Sequence, residues 1–354
     1  MVLVVVGFVK IRNKQHINSE NLEQKKISVI VPVRNEEKNI LECLLALEEQ
    51  YYDENNFEVI VVNDHSSDGT VDKVNGFIQL HQINVHLFSL TEKTGKKEAL
   101  QYGIEQSNYD LIATTDADCS LPKAWLKNIT YHLNSETDML LGPVIFTERK
   151  GFLSAFQLLD MLAIQGIEFG VLNYNNPILS NAANLSYSKK KFNLAGGFDT
   201  FNTPSGDDIF LLEKFKEKNY NIAGLLKNDF IVETEQECSV LGFLNQRLRW
   251  SSKTKYYSDK LLLYFGSIIL IQNICLVFIY FGIPLVEKYS FTLIILLCCK
   301  WLIDFILLLL VSSFFQKRKA LFYFIPVQIV YPFYIVIIWV ASLTIRYEWK
   351  GRKF

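Results

Sequence analysis

FEVIVVNDHSSDGT, residues 57–70, decides the fold. Its first part, FEVIVVND (57–64), centres on the β-branched run Val59-Ile60-Val61-Val62 and ends in a carboxylate, and the loop from Asp64 to Thr70 is polar. A run without apolar–polar alternation suits a strand covered on both faces, as in a parallel sheet. The same pattern stands upstream: KISVIVPV (26–33) is another such strand, Asn35-Glu36-Glu37 a polar turn, and Ile40, Leu41, Leu44, Leu45 and Leu47 recur at helical spacing. Downstream, NVHLFSL (84–90), a helix around Lys97–Gln106 and YDLIATTDAD (109–118) continue the alternation. Strands alternating with helices predict an α/β, doubly wound sheet. Ligands of such sheets bind beyond the carboxyl ends of the strands, where Asn35, Asp64, Asp116 and Asp118 fall. A single Asp at a strand end reads as a helix cap or turn residue. Three strand ends releasing Asp or Asn toward one edge read as a site.

Asp116-Ala117-Asp118 leaves its strand with alternate carboxylates near one side, an arrangement of hard oxygens that can hold Mg²⁺ or Mn²⁺ against a diphosphate. A divalent ion there would neutralise charge developing on a nucleoside-diphosphate leaving group. GKKEAL (95–100) opens a helix, and a lysine such as Lys96 can reach phosphate from there, although a solvated helix start explains it equally well. SGDDIF (205–210) either caps the helix IFLLEKF or supplies a reactive acid, and the two readings are compatible. QRLRW (246–250) lies in LGFLNQRLRWSSKTKYY (241–257), where Leu241, Phe243, Leu244, Leu248 and Trp250 accompany Arg247, Arg249, Lys253 and Lys255. That basic-aromatic amphipathicity predicts a helix lying in a membrane interface.

In order, PVRNEE (32–37), VNDHSSDGT (62–70), GKKEAL (95–100), DAD (116–118), NAANLSY (181–187), GGFD (196–199), GDD (206–208) and QRLRW (246–250) resemble the inverting GT-A-type nucleotide-sugar glycosyltransferases of glycosyltransferase family two. The resemblance covers roughly residues 26–255, and the last motif is similar to the QxxRW pattern of cellulose, hyaluronan and poly-N-acetylglucosamine synthases and of ceramide glucosyltransferase. It implies a Rossmann-like, mostly parallel GT-A sheet and a Mg²⁺- or Mn²⁺-dependent enzyme. Pro32, Arg34, Glu36 and Asp64 would then line the nucleotide pocket, with Asp64 near the base and Lys96 at phosphate. Asp116 and Asp118 would lie at the ribose, diphosphate and metal, Asp118 closer to the metal. Asp207 stands where relatives often carry Glu, and Asp208 matches the general base. Gln246, Arg249 and Trp250 would hold the diphosphate side and the acceptor entrance. Ala183 in NAANLSY takes a position that is glycine in the common form.

The 354 residues, 50% of them hydrophobic, exceed what one soluble domain needs and predict a two-part chain. A net charge of −1 conceals segregation, because nearly all Asp and Glu precede residue 260 while Lys and Arg persist beyond it. That balance argues against nucleic acid as a partner. Six cysteines, Cys43, Cys119, Cys238, Cys275, Cys298 and Cys299, without CxxC spacing, read as reduced thiols facing a reducing cytoplasm. The organisation predicted is 1–25 as a short apolar anchor, or the end of a longer membrane helix, with its linker; 26–240 as the catalytic domain; 241–260 as the interfacial helix; and 261–354 as a transmembrane domain of two to three or more segments.

Leu261–Val286 and Phe291–Phe315 are each long and apolar enough to cross a bilayer, with EKYS (287–290) as a tight turn and Lys317-Arg318-Lys319 on the side of the catalytic domain. Leu321–Ile345 either spans again, leaving Arg346, Lys350, Arg352 and Lys353 on the far side, or breaks at Pro326 and Pro332. Lys300 and Asp304 form an i,i+4 pair within the second segment, read as a self-neutralising structural pair or as a contact to an acceptor head group. The leading expectation is a multi-pass cell-membrane enzyme that transfers a sugar from a nucleotide-sugar donor to a lipid or lipid-linked acceptor, forming a β linkage. Its rivals are a processive polysaccharide synthase completed by a partner subunit, and a catalytically idle membrane scaffold that keeps the fold.

Overall fold

A computed structural model of the chain describes residues 1–14, 25–133, 136–198, 206–282, 287–345, 348–349 and 352–353. Asp199 of GGFD, Ser205 of SGDDIF, Arg346 and Lys350, and most of the linker expected before residue 25, lie outside the described residues. In chain order the helices are α1 (Val2–Lys14), α2 (Ile40–Glu48), α3 (Thr70–Leu80), α4 (Lys96–Gln106), α5 (Trp125–His132), α6 (Phe152–Leu172), α7 (Lys189–Leu194), α8 (Asp207–Glu217), α9 (Val240–Ser251), α10 (Lys260–Gly282), α11 (Glu287–Phe314) and α12 (Phe324–Thr344). The strands are β1 (Ile27–Val33), β2 (Phe57–Asn63), β3 (Val85–Ser89), β4 (Leu111–Thr114), β5 (Cys119–Ser120), β6 (Met139–Leu141), β7 (Val144–Phe146), β8 (Leu185–Ser188), β9 (Ile222–Gly224), β10 (Val232–Thr234), β11 (Glu348–Trp349) and β12 (Arg352–Lys353). Contacts divide the chain into two compact units, residues 11–147 with 174–235, and residues 1–10 with 148–173 and 236–354.

The first of these units is built on a seven-stranded sheet of order β3-β2-β1-β4-β8-β6-β9. Strands β3, β2, β1 and β4 run parallel, β8 runs antiparallel to β4 and β6, and β9 parallels β6. The apolar runs at 27–33 and 57–63 are buried nearly throughout, as central strands require. The ladder from β1 to β4 stops at Ile30 opposite Thr114. Pro32, with no N–H to donate, therefore lies where that side of β1 is no longer paired. Helix α4 packs closely on β1 and β2: a Cβ on Gly103 would meet Ile30 Cγ2 at 2.7 Å and Val62 Cγ2 at 3.1 Å. Strand order reverses beside β1, with β2 on one side and β4 on the other, which opens a crevice at the carboxyl ends of those strands. A smaller sheet, β5-β10-β7, completes the unit.

The other unit is helical. Among the described residues, four helical stretches in it are long and apolar enough to cross a membrane, Phe152–Leu172, Lys260–Phe281, Lys288–Phe314 and Arg318–Thr344. The first is 83% buried inside the protein, against 11%, 17% and 28% for the others, so α6 is a core helix and the other three present apolar side chains outward. Gly166 and Gly170, four apart on α6, let neighbours close in: Cβ atoms there would meet Val311 Cγ2 at 3.0 Å on α11 and the Val4 carbonyl oxygen at 2.5 Å. Small residues at this spacing serve the same purpose between membrane helices. The expectation of a tight turn at EKYS is corrected, because Glu287–Ser290 is the first turn of α11. Helix α12 runs unbroken through Pro332, and Pro326 falls in its first turn, where its missing N–H needs no partner. Lys300 pairs with Asp304 as its spacing predicts, and Gln328 of α12 joins them, accepting from Lys300 Nζ at 2.9 Å and donating to Asp304 Oδ2 at 3.0 Å. Residues 148–173, which the sequence grouped with the 26–240 stretch, pack in this unit.

Candidate active site

At the carboxyl ends of β1 and β2 the two exit loops are sewn together. Arg34 Nη1 donates to the Asp64 carbonyl at 2.7 Å, and Ser67 N donates to Asn35 Oδ1 at 2.8 Å. Glu36 N donates to Thr70 Oγ1 at 2.8 Å, and Glu37 N to Asp68 Oδ2 at 3.1 Å. Asn35 and His65 take φ of 53° and 56°, the left-handed region, so each loop turns at once out of its strand. Asp64 is 2% exposed, with the His65 ring Nδ1 3.2 Å from its Oδ1. Pro32, Arg34, Glu36 and Asp64 therefore occupy one sheet edge.

A second group gathers around Lys96, in the first turn of α4 after Gly95 (φ 116°). Its ammonium pairs with Asp116, 2.6 Å from Oδ1 and 2.8 Å from Oδ2. Burial opposes that charge, but attraction to Asp116, then Asp207, with the Asp116 hydrogen bond and Asp208, outweighs it and holds the lysine above its ordinary range. Lys96 thus draws the DAD and GDD acids into one field, where a solvated helix start was an equal reading of the sequence. Asp207 is 6% exposed and its Oδ2 is buried with no hydrogen-bond partner. Asp208 Oδ1 accepts from Ile209 N at 2.9 Å in the first turn of α8, whose N-cap is Gly206 with no side-chain cap bond. Cys43 lies in the field of Asp118, Asp116 and Glu36, and burial first, then those charges, pushes its thiol up to about 12. Cys119, next to Asp118, is raised for the same reasons.

Among the described residues no group of three or more His, Cys, Asp or Glu can cage a metal unaided. Mg²⁺ commonly takes only one or two carboxylates and completes its shell with substrate phosphate oxygens and water. A partly exposed Asp118 and the orphaned Asp207 oxygen fit that kind of shared site.

The QRLRW motif falls on α9, which Ser239 caps by accepting from Gly242 N at 3.0 Å. Gln246, Arg249 and Trp250 are partly exposed, and Gln246 Oε1 has no hydrogen-bond partner. Of the basic residues in 241–257, Arg247 is 4% exposed and pairs with Asp160 of α6, Nη2 to Oδ2, at 2.8 Å. Gln246, Arg249 and Trp250 belong to the helical unit, whereas Lys96, Asp116, Asp118, Asp207 and Asp208 belong to the sheet unit.

Two buried polar residues, one in each unit, were not singled out by the sequence. Asn184, 1% exposed, accepts from Trp125 Nε1 at 2.8 Å and donates to the carbonyls of Pro143 and Phe230, tying three segments together beneath NAANLSY. Asp160 gave a signal that was not used: a lone acid inside the apolar run FLSAFQLLDMLAIQG.

The strand order, the reversal beside β1 and the acids at that edge define a GT-A-type fold. Residues 28–190 match the family Glycosyl transferase family 2, and the chain carries a domain of that family there. Glycosyltransferase AglE of Haloferax volcanii is 36% identical over 126 residues, covering 35% of this chain and 41% of that protein. The undecaprenyl-phosphate 4-deoxy-4-formamido-L-arabinose transferase of Photorhabdus laumondii is 35% identical over 101 residues, 28% of this chain and 30% of that one. The matched stretch thus spans less than half of these relatives' length. The mannosyltransferase PcManGT of Pyrobaculum calidifontis, solved with GDP-Man and Mn²⁺, superposes with a TM-score of 0.58 at 17% identity over 97% of this chain and 95% of that one, which establishes a shared fold.

Proposed function

We propose that the protein is a membrane-bound, inverting glycosyltransferase that moves a sugar from a nucleoside-diphosphate donor to a lipid or lipid-linked acceptor. The observation that carries this reading is the pairing of Lys96 with Asp116, within the electrostatic field of Asp207 and Asp208, in a family-two domain. Arg34, Glu36 and Asp64, with Pro32 behind them, bind the nucleotide, Asp64 at the base. Asp116 and Asp118 meet the ribose and diphosphate, and Lys96 exchanges Asp116 for a phosphate oxygen. Mg²⁺ or Mn²⁺, held by Asp118 together with the diphosphate, supplies charge neutralisation at the leaving group.

Asp208 takes the proton from the acceptor hydroxyl as that oxygen attacks the anomeric carbon. One displacement turns the donor's α linkage into β, and the proton resides on the Asp208 carboxyl while the nucleoside diphosphate departs. Asp207, Gln246, Arg249 and Trp250 serve the acceptor and diphosphate side, with the indole as a stacking surface for a sugar ring. Free thiols and Lys317-Arg318-Lys319 favour a cytoplasmic catalytic unit in a multi-pass cell-membrane protein.

The test is transfer from radiolabelled UDP-glucose, UDP-N-acetylglucosamine and GDP-mannose into total membranes with Mn²⁺ or Mg²⁺, comparing wild type with Asp208→Asn. Label in an organic-extractable lipid, lost in the variant, is the expected result. Label in long insoluble polymer makes the protein a processive synthase instead, and no incorporation from any of the three contradicts the reading for these donors.

A further inference from the structure

Arg247 fills one of the two unspecified positions of QxxRW, yet it is the most enclosed side chain of the motif. Its guanidinium is bound on one side by Asp160 at 2.8 Å, and Asp160 Oδ1 in turn accepts from Tyr331 Oη of α12 at 2.8 Å. It lies over two rings: the guanidinium carbon is 4.1 Å from the Trp250 ring centroid and 5.0 Å from that of Phe243. Phe243, Arg247 and Trp250 follow one another at spacings of four and three, so they share one side of α9. Around them Phe156 of α6 packs against Phe243, Tyr331 and Tyr334 at centroid distances of 5.7, 5.9 and 5.1 Å. The result is a continuous chain from α12 through α6 to the indole of Trp250.

A buried ion pair is a weak source of stability, because apolar residues of equal volume often do as well. What arginine adds here is a planar cation that pairs with a carboxylate and lies over an indole ring, which neither leucine nor lysine reproduces. We propose that Asp160, Tyr331 and Arg247 are positioning residues that fix the Trp250 ring and thereby the acceptor side of the transfer reaction. This rests on the acceptor role proposed above for Trp250.

Full-length protein labelled with 5-fluorotryptophan in detergent micelles gives a direct readout, since the chain has five tryptophans and the Trp250 resonance is identified by its loss in Trp250→Phe. Arg247→Lys keeps the charge for Asp160 and removes the plane. It is expected to shift or broaden the Trp250 fluorine resonance, leave the other four in place, and raise the apparent KM for host total-lipid vesicles roughly tenfold with donor KM unchanged. Asp160→Asn is expected to do the same and Asp160→Glu to recover part of the loss. If Asp160→Asn collapses all five resonances, the pair also holds the fold and Arg247→Lys decides the point. An unmoved Trp250 resonance in Arg247→Lys overturns the proposal. A moved resonance with unchanged lipid KM in both Arg247→Lys and Trp250→Phe overturns the acceptor role of Trp250 while leaving the hold on its ring established.

Discussion

Two cation–carboxylate pairs, one in each unit, show how the same chemistry is put to different uses. Lys96 and Asp116 retain side-chain exposures of 20% and 33%, whereas Arg247 and Asp160 retain 4% and 5%. Next to the first pair stand a buried carboxylate oxygen without a partner, on Asp207, and a first-turn acid, Asp208. Beside the second lie Tyr331, which donates to Asp160, and the rings of Phe243 and Trp250 near the guanidinium. A pair with water access and unspent acceptors can trade partners with an incoming diphosphate and metal. A sealed one fixes geometry, and breaking it strands a charge. Lys300–Asp304, with 16% exposure on each side and Gln328 bridging, stands between the two.

The largest effect expected from breaking the open group is loss of turnover. Asp208→Asn should slow transfer by about 10²- to 10⁴-fold, the usual contribution of a general base, while binding of donor stays near wild type. Loss of donor binding along with rate, seen by titrating a labelled nucleotide sugar, would instead mark Asp208 as a structural or metal residue. In the sealed pair the largest effect is on stability. Asp160→Leu leaves the Arg247 guanidinium buried and uncompensated, and should destabilise the protein by about 3–5 kcal/mol, read as a lowered thermal midpoint in micelles. Lys96→Met should behave the opposite way: its pair is partly solvated and worth at most about 1 kcal/mol to the fold, but donor KM should rise about tenfold as a phosphate contact is lost. Equal losses of stability in Asp160→Leu and Lys96→Met would erase the distinction.

The smallest effect concerns the thiols. Cys43 and Cys119 hold their protons more tightly folded than unfolded, so their contribution to stability is full below the ordinary thiol value of 9.0 and falls as pH rises toward the folded value, about 12 for Cys43. Denaturation midpoints should therefore be insensitive to these groups from pH 6 to 8. Maleimide should label exposed Cys238 promptly and Cys43 and Cys119 only after unfolding.

The open site was legible because its signals are local. Runs rich in β-branched residues at 27–33 and 57–63, without apolar–polar alternation, announce strands buried on both faces, and the acids that follow them must emerge at the same edge of a parallel sheet. The sealed pair was not legible, since Asp160 and Arg247 lie 87 positions apart and each looks ordinary alone. An arginine on an amphipathic helix reads as solvated until its partner is known. Likewise α6, with Gln157, Asp160, Gln165 and Glu168 among its apolar residues, gives no sign that it packs on α11 through Gly166. EKYS misled because four polar residues between two apolar runs look like a turn, whereas a helix that continues past its apolar stretch needs nothing more than helix-compatible residues there.

The central claim is that the open carboxylate group, and not the sealed one, takes a nucleoside diphosphate with a divalent ion. Equilibrium titration of UDP and GDP onto the purified protein, with and without Mn²⁺, tests it in wild type, Asp118→Asn and Arg247→Lys. Binding of one nucleotide that strengthens with Mn²⁺ in wild type and Arg247→Lys, and loses that dependence in Asp118→Asn, is the predicted result. Binding indifferent to Mn²⁺ in wild type, or equally Mn²⁺-dependent in Asp118→Asn, would contradict it.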